Sequence, residues 1–241
     1  MESVELLNRL LEFDRSLIAA ERKRPVQVLI GTDEVGRGCL AGPVVAAAVI
    51  MPSIDLQSEL AQSLLLLNDS KQVKPKVREQ LALVLQDACQ FAVAEASASE
   101  VDELNVLYAS LLAMRRAVRK LRVQSPALIA VDGNQKIRSL RMPQITIVDG
   151  DTFSASVAAA SVIAKVYRDD LMVKLSRKHP AYSWESNKGY RSRSHWQAIH
   201  QHGMSKWHRR RFVERWLTMP YPLDRAAVLE LDEECQDDIT S

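Results

Sequence analysis

Four carboxylates in this chain stand directly after apolar stretches that predict three different strands. They are Asp33 and Glu34 after the first stretch, Asp132 after the second and Asp151 after the third. Each motif alone also fits an ordinary acidic strand end, an Asp-Gly turn or a helix cap. Because neighbours on a regular strand point to opposite faces, we expect the first strand to end at Glu34, so that both of its acids face one site. The glycines that follow would permit such an end.

Taken together, the four carboxylates predict a metal site. Clustered like charges are costly unless cations compensate them. The cluster includes no His or Cys, and oxygen-only ligand sets suit Mg²⁺ or Mn²⁺. Two such ions can activate a water and stabilise the leaving oxygen of a phosphodiester. The predicted chemistry is therefore metal-dependent hydrolysis of a phosphodiester bond.

Two further motifs compete with this interpretation. Residues Gly36 to Ala41 match the glycine-rich fingerprint of dinucleotide-binding folds, but that fingerprint must open a helix. Here Pro43 and a strand-like apolar run follow instead, which argues against a dinucleotide site. The histidines near the C-terminus match no standard zinc spacing and have no cysteine beside them. For them, phosphate contact or an ordinary helix surface is favoured.

Length and composition describe a soluble globular protein. The chain has 241 residues, 47% of them apolar and 26% charged, which excludes whole-chain disorder, collagen and a disulfide scaffold. Its three cysteines are widely spaced and form no CxxC pair, which indicates a reducing compartment. No apolar run approaches the ~20 residues of a membrane span, and the start lacks a signal-peptide pattern. We therefore expect a cytoplasmic protein with no membrane partner.

Charge is distributed unevenly along the chain, although the formal net charge is only +2. Residues 165–216 hold 13 Lys and Arg against 4 Asp and Glu, together with all five histidines and all four tryptophans. Such a segment predicts a surface for a polyanion, or else a solvated helical face with tryptophans in the core. Acids dominate after residue 223, so residues 223–241 are expected to form an acidic, disordered tail.

The order of the predicted elements indicates a mixed α/β sheet. Val26–Thr32 and Val44–Met51 are expected to be antiparallel neighbours, because too few residues separate them for a crossover helix. Further strands are predicted over Phe91–Ala96, Ala127–Val131 and Ile145–Val148, and helices over residues 3–21, 75–88, 102–121, 153–177, 193–202 and 205–217. We divide the chain into an N-terminal helix and connector (1–24), a catalytic domain (25–179), a C-terminal helical extension that binds substrate (180–222) and the tail (223–241).

The motifs of this chain, taken in order, resemble those of ribonuclease HII. They are Gly31 to Gly38, Asn68 to Lys71, Asp132 to Asn134, Gly150-Asp151, Ala158 to Asp169, Lys188 to Tyr190 and His208 to Arg210. One such motif is weak evidence, whereas seven in the family's order, spanning roughly Leu11 to Phe212, are specific. The resemblance implies a ribonuclease H-like mixed sheet flanked by helices, with a C-terminal helical extension.

The resemblance also implies an activity, that of a metal-dependent endoribonuclease. Such an enzyme hydrolyses the RNA strand of RNA–DNA hybrids and nicks duplex DNA on the 5′ side of single embedded ribonucleotides. The products would carry a 3′-hydroxyl and a 5′-phosphate, and the role would be removal of ribonucleotides from DNA. The cofactors would be Mn²⁺ or Mg²⁺, two per active site, in a monomeric protein.

Site residues follow from the matched motifs. The catalytic, metal-binding carboxylates would be Asp33, Glu34, Asp132 and Asp151, and the substrate-binding residues would be Gly36, Arg37, Gly38, Lys71, Lys165, Arg168 and Tyr190. The Gly-Arg-Gly loop would approach the ribose 2′-hydroxyl, the group that separates RNA from DNA. Tyr190 would pack on the deoxyribose beside the junction. The other explanation for Tyr190 is a core aromatic residue of the helical extension.

Four positions depart from the family's usual residues: Cys39 for Pro, Asn187 for His, Asp149 for Lys and Arg211 for Ser. Asp149 bears most on the chemistry, because it stands two residues from Asp151 and spacing alone does not choose between them. Because Asp151 adjoins the start of the predicted helix, it is favoured over Asp149 as the metal-binding carboxylate. A ribonuclease HIII-like enzyme remains an alternative, although about 25 residues before the first strand leave no room for its extra domain. A non-catalytic hybrid-binding module is the other alternative.

Overall fold

A computed structural model of the chain describes residues 2–22, 24–67 and 74–218. Its strands are β1 (Val28–Val35), β2 (Val44–Ile50), β3 (Gln90–Ala96), β4 (Ala127–Asp132) and β5 (Gln144–Ile147). Its α-helices are α1 (Glu2–Ala20), α2 (Glu59–Ser63), α3 (Pro75–Ala88), α4 (Ala98–Leu104), α5 (Val106–Lys120), α6 (Ala155–Lys178), α7 (Trp184–Asn187), α8 (Arg193–His202) and α9 (Arg210–Leu217).

The five strands form one mixed sheet in the order β3-β2-β1-β4-β5. β1 is antiparallel to β2, and β2 is antiparallel to β3, whereas β1, β4 and β5 run parallel. The predicted α/β class and the antiparallel pairing of the first two strands are therefore confirmed. The residues predicted as an acidic tail lie outside the described part of the chain.

The interior strands are covered on both faces, which explains why β2 is apolar throughout. α5 packs against one face of β2 and α6 against the other. Val45, Ala47 and Val49 of β2 belong to the core on the α6 side, and the alternate residues belong to the core on the α5 side. A strand buried on both faces loses the polar alternation of a half-exposed strand.

A stripe of small residues allows α6 to lie close against the sheet. The first two turns of α6 are almost entirely Ala and Ser, and Ala155 to Ala160 are buried. On the facing strand, a Cβ added at Gly31 would stand 2.1 Å from the carbonyl carbon of Ser156, well inside van der Waals contact. β1 and α6 therefore touch backbone to backbone at Gly31, two residues before the first acid.

The N-terminal helix is tied to the start of α6. The carboxylate of Asp14 on α1 accepts hydrogen bonds from the Ser154 hydroxyl (2.5 Å), the Ser156 amide (2.9 Å) and the Ser156 hydroxyl (2.6 Å). Burial raises the pKa of Asp14, while these hydrogen bonds oppose that rise. Three leucines of α1 also join the core on the α6 side, so α1 is packed into the same body as the sheet.

The C-terminal helices have a core of their own. Trp184 and Trp216 are buried there among residues of α6, α8 and α9. Leu40 and Ala41, which precede β2, belong to the same core, so the extension packs on the loop between β1 and β2. For these two tryptophans of residues 165–216, the structure thus supports a place in the core rather than on a surface for a polyanion. In the part of the chain that the structure describes, no helix is long and apolar enough to cross a membrane.

Three predicted boundaries are wrong. The helix predicted over 102–121 is two helices, because Asn105 has a positive φ of 66° and its side chain accepts from the Tyr108 amide to start α5. The helix predicted from 205 begins at Arg210, since His208 forms a β-bridge with Ala41. β1 does not end at Glu34 but continues to Val35.

We predict that Gly31→Ala destabilises the protein by at least the ~1–3 kcal/mol of an overpacked core, because β1 and α6 must separate to admit the methyl group. Gly38→Ala is the control, since a Cβ there meets nothing within 4 Å. Urea unfolding measures both free energies. Equal stability of the two variants would show that the contact at Gly31 is not rigid.

Candidate active site

Parallel pairing of β1 and β4 brings the first two predicted acids together. Thr32 of β1 is in register with Val131 of β4, so Asp33 and Asp132 are the next residues on adjacent strands. A pocket of about 390 Å³ opens at these strand ends. We call it the acidic pocket; its lining residues are Asp33, Glu34, Val35, Arg37, Arg78, Asp132, Ser161, Val162, Lys165 and Tyr190.

Asp33 and Glu34 both line the acidic pocket although the strand continues past them. The Asp33 carboxylate bends along the chain and accepts a hydrogen bond from the Glu34 amide at 2.7 Å. The Glu34 carboxylate lies 3.3 Å from the Arg37 guanidinium. The conformations of these side chains, rather than a strand end, therefore bring the two carboxylates to one pocket.

The electrostatics of the acidic pocket are those of crowded carboxylates. Burial raises the pKa of Asp33 well above its usual value, and the negative charges of Glu34 and Asp132 raise it further. Burial also raises the pKa of Glu34, where Arg37 opposes the rise and Asp132 adds to it. A bound cation would relieve both the burial cost and the mutual repulsion of these groups.

The segment that follows β5 carries Asp149 and Asp151, between which the sequence spacing did not choose, and the structure distinguishes them. The Gly150 amide donates to the Asp132 carboxylate at 2.7 Å, which fixes this segment beside the acidic pocket. Asp151 is buried in the short 3₁₀ turn that precedes α6. Asp149 is exposed and has a left-handed backbone conformation, with φ of 53°. Asp151 is not among the residues that line the acidic pocket, but it is the inward-facing acid of the pair.

The donor chemistry of the acidic pocket fits a hard divalent cation. The groups it offers as ligands are carboxylates close enough to raise one another's pKa, and oxygen-only sets of this kind are preferred by Mg²⁺ and Mn²⁺. Among residues 2–22, 24–67 and 74–218, no three His, Cys, Asp or Glu side chains are already arranged to hold a metal ion. The carboxylates would therefore have to adjust their side chains around a cation.

Arg168 differs from its prediction as a substrate-binding residue. It is fully buried, and its guanidinium donates to the carbonyl oxygens of Pro43 (3.1 Å), Lys188 (2.9 Å) and Ala41 (3.0 Å). A side chain so enclosed has no surface with which to contact a phosphate. Arg168 instead joins α6 to the loop before β2 and to the segment that leads to Tyr190.

Arg209 is a second buried arginine that holds the Gly-Arg-Gly loop. Its guanidinium donates to the carbonyl oxygens of Gly36 (2.6 Å), Arg37 (2.6 Å) and Gly42 (3.1 Å). The backbone at Gly36 has a φ of 90°, and a Cβ there would stand 2.2 Å from Nε of Arg168. Only glycine fits at this position, because the loop passes directly over one arginine while the other holds its carbonyl groups.

Tyr190 lies at the rim of the acidic pocket with part of its ring exposed. Lys165 Nζ lies 5.8 Å from the ring centroid, and the same amine forms an ion pair with Asp169 at 2.8 Å. Burial of the hydroxyl and the neighbouring Cys39 thiol raise the pKa of Tyr190. The ring is therefore not part of the extension's core and presents a face to the pocket.

Two buried histidines connect the helical extension to Tyr190. Trp184 Nε1 donates to His195 Nε2 (3.1 Å), so His195 carries its hydrogen on Nδ1, which donates to the Tyr190 carbonyl oxygen (2.9 Å). His208 Nε2 lies 3.1 Å from His195 Nε2, and His208 Nδ1 accepts from the Ser205 amide (2.9 Å). Burial, aided by His195, lowers the pKa of His208 to about 4. This pair is neutral and structural, unlike the phosphate contact or helix surface favoured from sequence.

The structure thus brings six of the predicted site residues to one pocket: Asp33, Glu34, Arg37, Asp132, Lys165 and Tyr190. Lys71 lies outside the described residues. Sequence reasoning assigned no role to Arg209, although it stands in one of the family-like motifs, and missed Arg78 and Ser161 of the pocket lining. The signal for Arg209 was its place in the His208 to Arg210 motif, and that for Ser161 its place in the Ala158 to Asp169 motif; Arg78 carried none.

Comparison with known proteins gives consistent matches. Residues 30–218 match the family model described as ribonuclease HII. The chain is 46% identical over 200 residues to a ribonuclease HII of Paracoccus denitrificans, covering 83% of this chain and 91% of the relative. It is 48% identical over 185 residues to one of Trichodesmium erythraeum, covering 76% and 85%. Among solved structures, ribonuclease H2 from Pyrococcus horikoshii superposes with a TM-score of 0.63 at 26% identity, covering 80% of this chain and all of that one.

We predict that Arg209→Ala lowers the free energy of unfolding by at least about 3 kcal/mol, because each buried acceptor left without a donor costs about 1–3 kcal/mol. The matched control is Arg210→Ala, whose side chain is 73% exposed and pairs only loosely with Glu214 at 3.7 Å. It should change stability by no more than ~0.5 kcal/mol. Denaturant unfolding gives both free energies. Similar values for the two variants would contradict the role of Arg209 in holding the Gly-Arg-Gly loop.

Proposed function

The chain belongs to the ribonuclease HII family and is a ribonuclease H that acts on RNA–DNA hybrids. From this membership we propose that it also nicks duplex DNA on the 5′ side of single embedded ribonucleotides. The observation that carries the proposal is the acidic pocket, where three repelling carboxylates lie beside two arginines, a lysine and an exposed aromatic face. Such a pocket suits a phosphodiester with a sugar to be recognised beside it.

We propose that Asp33, Glu34, Asp132 and Asp151 hold two divalent cations, Mg²⁺ or Mn²⁺. When bound, the metal supplies an activated water and stabilises charge on the leaving oxygen, giving a 3′-hydroxyl and a 5′-phosphate. The protein's part is to hold the carboxylates together against their repulsion. The Gly150 amide orients the Asp132 carboxylate at 2.7 Å, and the Glu34 amide orients that of Asp33.

Recognition of the ribonucleotide is assigned to the Gly-Arg-Gly loop. The 2′-hydroxyl must be contacted directly, because it is the group in which RNA and DNA differ at this site. Arg209 holds the carbonyl oxygens of Gly36 and Arg37 at 2.6 Å, which supports backbone amides of residues 36–38 as the groups that face the sugar. The Arg37 side chain, 44% exposed, is available to a flanking phosphate.

Tyr190 and Lys165 are assigned to the strand beside the cleaved bond. The ring of Tyr190 would pack against the deoxyribose, where an added 2′-hydroxyl would change the contact. Lys165, positioned by Asp169 at 2.8 Å, would contact a phosphate. Lys71 is proposed as a further substrate contact on the strength of its motif alone. We propose that the protein acts as a cytoplasmic monomer in ribonucleotide removal.

We expect the protein to nick a duplex with one ribonucleotide in Mg²⁺ or Mn²⁺ and to be inactive in EDTA. Asp132→Asn should lower the single-turnover rate by more than the ~10–100-fold typical of groups that only support a metal ligand. It should still fold, since removing one of several crowded charges relieves repulsion. Asp87→Asn, an exposed acid on α3, is the control. A wild-type rate for Asp132→Asn at saturating Mg²⁺ would remove Asp132 from the ligand set, and binding without cleavage by the wild type would favour a non-catalytic module.

A second expectation concerns Tyr190. Tyr190→Ala should lower the cleavage rate of the one-ribonucleotide duplex at least about tenfold more than it weakens duplex binding, because a shape contact matters most when the reacting geometry is assembled. Tyr190→Phe keeps the ring and should retain both properties. The measurements are single-turnover cleavage and fluorescence anisotropy of the labelled duplex. Equal losses of rate and affinity in Tyr190→Ala would make the ring a simple binding residue.

A further inference from the structure

A large basic groove lies along the free edge of the sheet. It has a volume of about 850 Å³, and we call it the β3-edge groove; its lining residues are Val93, Ala94, Glu95, Arg116, Arg119, Lys120, Arg122 and Tyr167. Four of these side chains are cationic and one is acidic. None of the sequence motifs discussed above accounts for this concentration of charge on α5 and the turn after it.

Two of the four cations of the groove are held in place by the edge strand itself. β3 is an outer strand of the sheet, and its Val93 carbonyl oxygen accepts from Lys120 (2.9 Å) while that of Glu95 accepts from Arg116 (2.8 Å). Such capping hinders an added β-strand from pairing with this edge. The groove is therefore better suited to an anionic ligand than to an extended peptide.

The charge of the groove is only partly compensated. Arg116 forms a two-point contact with Glu100, at 2.6 and 2.9 Å, and this pair lowers the pKa of Glu100 to about 2. Arg119, by contrast, donates to the neutral carbonyl oxygen of Ser139 at 3.1 Å, and Lys120 donates to that of Val93. Uncompensated cations on an open surface attract phosphates.

The β3-edge groove adjoins the acidic pocket at the same end of the sheet. Val35, which lines the acidic pocket, pairs with Val45 of β2, and Val45 pairs with Glu95, which lines the groove. Two strand spacings separate these residues, about 10 Å. On α6, Lys165 lines the pocket and Tyr167 lines the groove, where its hydroxyl donates to Glu95 at 2.8 Å.

We propose that the β3-edge groove binds the phosphodiester backbone of the substrate duplex beyond the cleaved ribonucleotide. The inference rests on the proposed function of the acidic pocket. A duplex rises about 3.4 Å per base pair, so a strand that leaves the pocket reaches the groove after roughly three base pairs. The contact is to the backbone and independent of sequence, and Arg119, Lys120 and Arg122 supply its charge.

The test compares variants on duplexes that carry one ribonucleotide and differ in the length of one flank. The groove variant is Arg119→Ala/Lys120→Ala/Arg122→Ala, and the matched control removes three exposed cations of the N-terminal segment, Arg9→Ala/Arg15→Ala/Arg22→Ala. A charge-conserving variant, Arg119→Lys/Arg122→Lys, separates lost charge from altered structure. Two duplex series shorten the 5′ or the 3′ flank from about 15 base pairs to about 1, which is less than the roughly three that reach the groove. Thermal melting checks that each variant is folded.

We expect the groove variant to bind long-flank duplexes about tenfold or more weakly at physiological salt. The slope of log K against log salt should become shallower by about 2 to 3, since each lost phosphate contact contributes about 0.9. When the flank that reaches the groove is shortened, the groove variant should bind the duplex as tightly as the wild type does. The charge-conserving variant should bind as the wild type does at every flank length.

The outcomes separate the two proposals. If wild-type protein fails to nick the long duplex, the proposed function fails. If wild-type protein nicks it and the groove variant behaves as the Arg9/Arg15/Arg22 control at every flank length, the groove proposal is overturned. An equal loss at all flank lengths would also overturn it, because the effect would then come from the acidic pocket. Weakened binding of free mononucleotides without flank dependence would identify a small anion as the occupant instead.

Discussion

Like charges that share one pocket push each other apart, and the packing around the acidic pocket must resist that force. β1 and β4 hold Asp33 and Asp132 at the same level through parallel pairing. α6 lies so close to β1 that Gly31 has no room for a side chain. The Gly150 amide then fixes the Asp132 carboxylate. These backbone contacts keep the carboxylates close together, and their mutual repulsion favours a bound cation.

The helical extension and the catalytic sheet are joined by buried guanidinium groups rather than by apolar packing alone. Arg168 and Arg209 together donate to carbonyl oxygens on the loop between β1 and β2 and on the segment before Tyr190. Burial lowers the pKa of Arg209 to about 10, which still leaves it charged at neutral pH. His195 of the buried histidine pair donates to the Tyr190 carbonyl oxygen. One connected network therefore positions both the Gly-Arg-Gly loop, which is proposed to contact the ribose, and the Tyr190 ring, which is proposed to contact the adjacent deoxyribose.

The sequence predicted the sheet and the acidic pocket well, because both follow from patterns of a few residues. Apolar runs identified β1, β2 and β4, and the acids at the C-terminal ends of β1 and β4 cluster as predicted, through a parallel pairing that the sequence did not specify. Prediction was less successful where one residue's backbone or side-chain conformation decides the structure. Asn105 interrupts a helical pattern through a positive φ, and the Asp33 carboxylate turns along a strand that continues. Arg168 was assigned to substrate from its family-like motif, and a motif does not show that a basic side chain is buried.

The hydrogen bonds of Asp14 extend the folded domain beyond the residues that the family model matches. The family match begins at residue 30, yet the hydroxyls and amide that start α6 find their acceptor on α1. A fragment cut at the matched boundary would lack Asp14, the acceptor of three hydrogen bonds beside the turn that carries Asp151, and would expose the core that the leucines of α1 cover. Residues outside the family match can thus still support the fold. An expression fragment of this protein should therefore include α1.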